Sequence, residues 1–510
     1  MIKENPPCLL RRSCFGCEGR TLSELRRAST YMTNTNPELR HFLEIPYNAL
    51  EEMNLAAKAK QATASASALE KEYRAYLLKE KRIKAVTLCF TDIEGRFHML
   101  DYDKKYLLSS ANNLTFDGSS IRGFSAQAES DLWLDIDWDS IVWLPSDVFG
   151  AGKVVMFASV LDKDRSPYAS DFRGQLKGYL EKLARTQGLT AFAAAETEGF
   201  IMEGVNAEQN YEKNGGFTFV STGGYYHSLP LDRLRRFIDA AAEAQRAMGF
   251  QNEKDHPEVA PSQFELNFSY TRALRACDQI QLYKLVCRQV AENMGFTATF
   301  LPKPVAGVNG SGMHLNFSLA RSGKNAFYQK GGKEGLSPLA WDFISRLLQH
   351  APEICLIFNS SVNAYRRLDP HFEAPNQIKV SPLDRGAMVR IPIGNEKTAR
   401  IEFRSVAPDT NPYLALFTML RTGLEGKKLV RERGKRERVR FLPDNIHDAI
   451  KLFKASDFMA KILGKDNQQK FASYKQASAD RNPKELGAIV KTPEVLFHHE
   501  VTNQALWNKF

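Results

Sequence analysis

The stretch KPVAGVNGSGMHLNFSL, residues 303–319, joins a glycine-rich turn to a run of alternating apolar and polar residues. Because successive side chains of a β-strand point to opposite faces, the second half predicts a strand with one polar face. That face carries His314, Asn316 and Ser318. A turn rich in glycine allows close approach to a ligand, so the stretch predicts a strand at the edge of a binding site.

Three further stretches, residues 195–202, 263–270 and 401–404, alternate in the same way. Four separate strands with solvated outer faces would explain the alternation, but such faces usually mix Lys, Thr and Glu. Here the polar positions are selectively acidic. Carboxylates that converge repel one another unless protons or cations neutralise them, and Mg²⁺ and Mn²⁺ prefer oxygen ligands with an occasional imidazole. We therefore predict that these strands converge and that their polar residues form a divalent-metal site. The residues are Glu196, Glu198, Glu265, Asn267, His314 and Glu402.

A second group is basic and lies mostly beside Pro- and Gly-rich segments. The planar fork of arginine binds oxyanions in pairs, so the group predicts a clamp on phosphates and a carboxylate; the alternative is a basic surface patch. The chain has no GxxxxGK[ST] motif, and Gly307–Gly312 does not match GxGxxG, so a nucleotide would be held in another way. The basic residues are Arg366, Arg367, Arg385, Arg390, Lys397, Arg400 and Arg404.

Composition limits the function classes. The chain has 510 residues, 43% of them hydrophobic, and a net charge of +10. No apolar run reaches the ~18 residues of a membrane span, so we expect no membrane association. Much of the positive charge lies near the N-terminus and in Lys427–Arg440, where we expect solvated surface rather than a nucleic-acid site. Cysteines in apolar contexts indicate a reducing compartment, and we expect a cytoplasmic protein.

The pattern changes twice along the chain. Residues 1–45 are predicted to be a disordered extension, and Met32 is an alternative start. Residues 46–160 predict a helical lead-in and a small mixed domain. Residues 161–510 alternate long helices, predicted over 174–187, 229–248, 273–293 and 337–358, with short strands, which is typical of α+β organisation. The last 35 residues are polar and show no identifiable chemistry.

Several motifs occur in the order known from one family. They are FDGSSIRGF (116–124) followed by Glu129 and Asp131, KPVAGVNGSGMH (303–314), NAYRRL (363–368), EAP (373–375), RIEFR (400–404) and NPYL (411–414). Together they resemble the class I glutamine synthetases over about residues 80–425. The chain departs from the family at Gly199, where an aromatic residue is usual. It also has no tyrosine from Leu414 to Ser473, so it resembles the types that are not adenylylated.

The resemblance implies a small β-grasp domain and a large catalytic domain whose active site is lined by antiparallel strands. It implies a homo-oligomer, a double-ringed dodecamer, with each active site completed by the small domain of a neighbouring subunit. Two Mg²⁺ or Mn²⁺ ions per site are implied, one bound by Glu198, Glu258 and Glu265. The other is implied at Glu196, His314 and Glu402.

The implied reaction ligates ammonium to L-glutamate through γ-glutamyl phosphate at the expense of ATP. Asp117 would bind and deprotonate ammonium, assisted by Glu373 on a flap. The resemblance also implies which residues bind the substrates. Phosphate would be stabilised by Arg385, Arg390 and Arg404, and glutamate would be bound by Asn309, Gly310, Arg367 and Glu373. ATP would be bound by Glu253, Asn316, Ser318, Arg390 and Lys397.

Three alternatives remain at this point. A relative that ligates glutamate to a polyamine would often lack the ammonium-binding aspartate, and Asp117 is present. A catalytically silent structural or regulatory homologue would have damaged metal ligands, and all six are present. Binding of nucleic acid through Lys427–Arg440 could coexist with catalysis and would depend steeply on salt.

Overall fold

The computed structural model describes residues 44–125, 130–372, 374–429, 438–482, 487 and 489–500. The extension 1–43, the flap residue Glu373 and most of the basic run 427–440 therefore lie outside the described residues. The helices are α1 Tyr47–Thr63, α2 Ala66–Lys79, α3 Lys104–Ser110, α4 Ser146–Phe149, α5 Phe172–Gln187, α6 Arg233–Ala247, α7 Ala273–Asn293, α8 Pro338–Phe358, α9 Val362–Arg367, α10 Pro412–Glu425, α11 Ile446–Lys454, α12 Asp457–Leu463, α13 Lys465–Asp480 and α14 Thr492–Leu496.

Two sheets carry the described strands. The strands are β1 Ala85–Thr91, β2 Phe97–Asp103, β3 Leu114–Asp117, β4 Asp131–Ile136, β5 Val142–Trp143, β6 Val154–Leu161, β7 Leu189–Glu203, β8 Asn252–Pro257, β9 Gln263–Phe268, β10 Thr271–Arg272, β11 Phe296–Thr299, β12 Met313–Arg321, β13 Lys324–Asn325, β14 Gln377–Ser381, β15 Ala387–Arg390 and β16 Ile401–Phe403.

The first sheet belongs to the small N-terminal domain. Its order is β2-β1-β6-β4-β3, with β5 paired to β6, and only the β1–β6 pair is parallel. The core beneath it contains Leu77 of α2, Leu88 of β1 and Met156 of β6, all fully buried. The two predicted lead-in helices, α1 and α2, pack on this domain through Leu50 and Leu69.

The second sheet forms the floor of the large domain. Its continuous order is β14-β15-β16-β12-β7-β9-β8, while β10 and β11 pair with β7 and β13 pairs with β12. The pairs around β7, β12 and β16 are antiparallel. Helices α5, α8 and α10 cover one face of this sheet and form the largest core cluster with apolar residues such as Leu315, Phe317 and Phe343. The opposite face of the central strands is therefore left for the polar residues.

Local sequence explains where the elements begin and how they pack. Helix α6 begins at Arg233, after the Leu229 predicted from its pattern, because Asp232 caps it by accepting a hydrogen bond from the Leu234 N–H. Gly199 is a glycine because a Cβ there would lie 2.8 Å from the ring of Phe264 and 2.9 Å from that of Phe300. Two aromatic rings thus take the space of the usual family aromatic residue.

The structure confirms the predicted α+β class. None of the helices in the described part of the chain has the length and apolar character that crossing a membrane requires. Cys89, Cys277, Cys287 and Cys355 are buried free thiols, as their apolar contexts predicted. The C-terminal residues differ from the prediction, because Glu494, His498, His499 and Glu500 are buried and paired with the core instead of forming a tail without identifiable chemistry.

Candidate active site

The strand register brings the predicted acidic residues together. His314 of β12 lies opposite Glu196 of β7, and Asn316 lies opposite Glu402 of β16. On the other side of β7, Glu198 lies opposite Glu265 of β9. All six predicted metal ligands line one cleft of about 500 Å³ that opens to solvent.

One group of carboxylates in this cleft is crowded. Glu258 and Glu265 lie on either side of His256, whose Nδ1 is 3.6 Å from Glu258 Oε1 and whose Nε2 is 3.5 Å from Glu265 Oε1. Burial and the charge of Glu265 raise the pKa of Glu258 to about 7. Burial, followed by the charges of Glu258 and Glu265, raises the pKa of Glu198 well above its ordinary value. We call Glu198, His256, Glu258 and Glu265 the crowded group.

The second group is better balanced. His314 Nδ1 lies 3.4 Å from Glu196 Oε2 and 3.7 Å from Glu402 Oε1. Arg390 and Arg404 each form an ion pair with one oxygen of Glu402. Burial opposes ionisation of Glu196, yet hydrogen bonds from His314 and Asn316 lower its pKa to about 2. We call Glu196, His314 and Glu402 the balanced group.

Both groups have the donor chemistry of a divalent-metal site. Their ligand atoms are carboxylate oxygens and one imidazole nitrogen each, which suits Mg²⁺ or Mn²⁺. Within each of the trios Glu196–His314–Glu402 and His256–Glu258–Glu265, the ligand atoms lie within 4.8 Å of one another. Glu198 lines the same cleft as the second trio, so the predicted ligand set Glu198, Glu258 and Glu265 stays a prediction, with His256 as an additional candidate ligand. Glu198 accepts a hydrogen bond of 2.8 Å from the Gly312 N–H.

A second cleft, of about 240 Å³, adjoins the first and shares Glu196, Lys254 and Arg400 with it. Four of the five predicted ATP-binding residues line this cleft, whereas Arg390 lines the metal-ligand cleft. Arg400 donates from Nε to Asn316 Oδ1 at 2.8 Å. The two clefts thus form a continuous surface with mixed charge. The four residues in the second cleft are Glu253, Asn316, Ser318 and Lys397.

The predicted anion-binding residues line the metal-ligand cleft. Arg367 is 5% exposed, and its Nη1 has no hydrogen-bond partner among the described residues. Its Nη2 donates to the Arg404 carbonyl at 3.1 Å. Burial lowers the pKa of Arg367 to about 10, so the side chain stays cationic at neutral pH. A buried guanidinium with a free donor is suited to a carboxylate ligand, and Asn309, Gly310, Arg385 and Arg404 line the same wall.

Of the predicted site residues that the structure describes, Asp117 is the one that the single chain does not bring to the site. It is exposed at the end of β3 and lines neither cleft. Its Oδ1 accepts from the Ser119 N–H at 2.9 Å and the Ser119 hydroxyl at 2.6 Å. Hydrogen bonds from Ser119 and Ser120 lower the pKa of Asp117, so it presents an ionised carboxylate to solvent.

The cleft-lining residues that sequence reasoning missed include His256, Tyr225 and Tyr226. His256 precedes Glu258 by two positions on or beside β8, and the alternation used for the other strands would have indicated it. Tyr225 and Tyr226 stack on each other, with ring centroids 5.6 and 4.9 Å from the ring of His256. They lie in an irregular segment whose sequence carries no periodic signal.

Two family models match the chain, one over the small domain and one over the large domain. Residues 82–163 match the family model described as the β-grasp domain of glutamine synthetase. Residues 169–488 match the model described as the glutamine synthetase catalytic domain.

Individual relatives are similar over most of their length. The chain is 35% identical to glutamine synthetase of Thermotoga maritima over 435 residues, 82% of this chain and 97% of that protein. It is also 35% identical to glutamine synthetase of Thermus thermophilus over 427 residues, 79% of this chain and 94% of that protein.

Solved structures share the fold. The apo structure of GmaS is 27% identical, with a TM-score of 0.69 over 80% of this chain and 95% of that one. The structure of Plasmodium falciparum glutamine synthetase is 21% identical, with a TM-score of 0.71 over 81% of this chain and 96% of that one, and this likeness supports the fold alone.

Proposed function

The chain belongs to the glutamine synthetase family, and from that premise we propose that it is a glutamate–ammonia ligase that forms L-glutamine at the expense of ATP. The family uses ATP and divalent metal ions. The observation that carries the proposal is the convergence of two acidic groups, each with a histidine, beside a buried arginine with a free donor.

We assign one divalent cation, Mg²⁺ or Mn²⁺, to Glu198, Glu258 and Glu265, with His256 beside them. A second is assigned to Glu196, His314 and Glu402. Such cations, when bound, screen the charge of phosphate oxygens and of the carboxylates themselves. The raised pKa values in the crowded group support this assignment, because a cation offsets both the burial and the mutual repulsion that raise them.

The cationic side chains of the cleft hold the anionic substrates. Arg367 binds the substrate carboxylate, with Asn309 and Gly310 lining the same cleft. Arg385, Arg390 and Arg404 stabilise the phosphoryl group as it passes from ATP to the γ-carboxylate of glutamate. ATP lies along Glu253, Asn316, Ser318 and Lys397. The protein therefore contributes mainly positioning and electrostatic stabilisation.

Asp117 acts from a neighbouring subunit in this proposal. Its exposed, ionised carboxylate suits an ammonium ion, and its distance from both clefts in the single chain supports a homo-oligomer, which we propose to be a dodecamer. Glu373 assists Asp117 in deprotonating ammonium in this proposal, and the acyl phosphate has to be kept from water. We also propose that the small domain spans residues 46–160 and the catalytic domain residues 161–510. The small domain of each subunit completes the active site of the adjacent subunit.

Release of phosphate from ATP tests the reaction directly. The purified chain is incubated with Mg²⁺, ATP and L-glutamate, and ammonium, putrescine and spermidine are compared as the amine. We expect phosphate release with ammonium and formation of glutamine in equal amount.

Turnover only with a polyamine would contradict the ammonium assignment and favour a γ-glutamyl-polyamine synthetase. Failure of all three amines would favour a catalytically silent homologue. Omission of glutamate is the matched control, because ATP hydrolysis without it would have no acyl-phosphate step.

A further inference from the structure

The C-terminal residues Lys491–Glu500, here called the C-terminal segment, insert charged side chains into the large domain. Glu494 is 4% exposed and Glu500 9% exposed. His498 Nε2 donates to Asp409 Oδ2 at 2.8 Å. A buried charge is stable only when paired, so each contact identifies the part of the core that the segment stabilises.

Glu494 contacts the helix that carries the substrate-binding arginine. Arg366 Nε lies 2.8 Å from Glu494 Oε1 and 2.6 Å from Oε2, and Arg366 Nη2 adds a further hydrogen bond to Oε1. Arg366 is also buried, and it immediately precedes Arg367 at the end of α9. The carboxylate of Glu494 thus holds α9 at the residue next to the one that lines the cleft.

The same carboxylate reaches the glycine-rich loop through Asn363. Asn363 Nδ2 donates to Glu494 Oε2 at 3.1 Å and to the Lys303 carbonyl at 2.9 Å, and Asn363 Oδ1 accepts from the Lys303 N–H at 2.6 Å. Lys303 begins the loop that contains Asn309, and its Nζ donates to the Val308 carbonyl. Glu494 therefore joins the two segments that present Arg367 and Asn309.

The position of Arg367 tolerates little movement. A Cβ at Gly312 would lie 2.5 Å from Arg367 Nη2, and one at Gly310 would lie 3.0 Å from its Cγ. The guanidinium is thus packed against the loop, and a shift of α9 would displace its free Nη1. Glu494 itself does not line either cleft.

We propose that Glu494 is a positioning residue for glutamate binding: it fixes α9 and the 303–312 loop relative to each other and so sets the geometry of Arg367 and Asn309. The inference rests on the proposed function, because it takes glutamate as the ligand of Arg367. A displacement of about 1 Å at a binding group can reduce catalytic efficiency strongly, so the effect should be visible in kinetics.

Glu494→Gln tests the proposal, with Glu500→Gln as a matched control. Both variants remove a buried charge from the C-terminal segment, but Glu500 pairs with Lys284 and Arg288 of α7, which do not line the cleft. We expect E494Q to raise the KM for glutamate at least ~10-fold and to leave the KM for ATP within ~2-fold. E500Q should leave the KM for glutamate within ~2-fold. Arg366→Lys provides the same test if E494Q does not fold.

An equal rise of the glutamate KM in E494Q and E500Q would overturn the proposal, since docking of the whole segment would then be responsible. So would an unchanged glutamate KM in E494Q, or an equal rise of both of its KM values. A wild-type chain that does not turn over glutamate with any amine would instead refute the proposed function, and the positioning role with it.

Discussion

The cleft and the C-terminal segment both bury carboxylates, but they surround them differently. Burial tends to raise the pKa of Glu500, yet the adjacent Lys284 and Arg288 lower it below its usual range. Glu258 in the cleft has another carboxylate, Glu265, as its strongest charged neighbour, and its pKa is raised to about 7. The C-terminal segment neutralises its carboxylates with basic side chains of the fold, whereas the crowded group leaves its carboxylates to be neutralised by a bound ligand.

This difference separates stability from function. A paired buried charge contributes to folding only while its partner is present, so its loss is a stability defect. A crowded group of like charges costs folding free energy and is explained by a ligand of opposite charge. Variants in the cleft should therefore change turnover more than stability, and variants of Glu500, whose partners Lys284 and Arg288 do not line the cleft, should do the reverse.

Loss of a carboxylate from the crowded group should have the largest effect. We expect Glu265→Ala to reduce ATP-dependent phosphate release at least ~1,000-fold, because a metal ligand and its charge are lost from the reacting centre. Its circular dichroism spectrum and melting temperature should stay close to those of the wild type. Steady-state phosphate release at saturating Mg²⁺ is the measurement.

Two controls make this result specific. Glu203→Ala alters an exposed residue at the end of β7, the strand that pairs with the β9 strand of Glu265, and should keep full turnover. Glu500→Ala should lower the melting temperature but keep turnover per folded subunit. Full activity of E265A would refute the metal assignment, and unfolding of E265A would remove the contrast between the two regions.

The pH dependence of stability should reveal the C-terminal segment. Burial, and then the charge of Lys475, lowers the pKa of His499 to about 4, and its Nε2 contacts the Asp409 carbonyl at 2.7 Å. In the unfolded chain a histidine gains its proton near pH 6.5, so the unfolded state binds more protons between pH 6.5 and 4. The contribution of His499 is thus fully present above pH 6.5 and is lost as the pH falls towards 4.

Denaturant unfolding at pH 7.5 and pH 5 measures this contribution. We expect the wild-type free energy of unfolding to fall by about 2 kcal/mol more than that of His499→Gln over this interval. Other titrating groups are common to both proteins and cancel in the difference. Equal losses in the two proteins would show that His499 is protonated in the fold at pH 5, against its lowered pKa.

The alternation of polar and apolar residues predicted the strands of the site and the faces of their side chains. Helix α7 also begins and ends where its pattern predicted, at Ala273 and Asn293. The convergence of Glu196 and His314 could not be derived in this way, because they are 118 residues apart and meet only through the register of β7 and β12. Only the ordered family motifs indicated that these strands share a site.

The buried contacts of the C-terminal residues could not be predicted from any sequence pattern. Glu494 and Glu500 lie in a polar segment without periodicity, and such a segment resembles a solvated tail. Their partners Arg366 and Lys284 are 128 and 216 residues away and are themselves ordinary basic residues in the sequence. Pair formation at such separation leaves no local pattern, so the buried contacts could be recognised only in the fold.

Relief of repulsion in the crowded group should have the smallest effect, and it should stabilise the protein instead of impairing it. In metal-free protein at pH 8, Glu258→Gln should raise the free energy of unfolding by about 1 kcal/mol, because it removes a carboxylate held near Glu265 at an energetic cost. The amide oxygen can still accept from the Val259 N–H, as Glu258 Oε2 does at 3.0 Å. Glu402→Gln, in the balanced group, should instead destabilise the protein, because Arg390 and Arg404 lose their ionic partner. Chemical denaturation in EDTA gives both values, and a loss of stability in E258Q would mean that the crowded group is already neutralised within the fold.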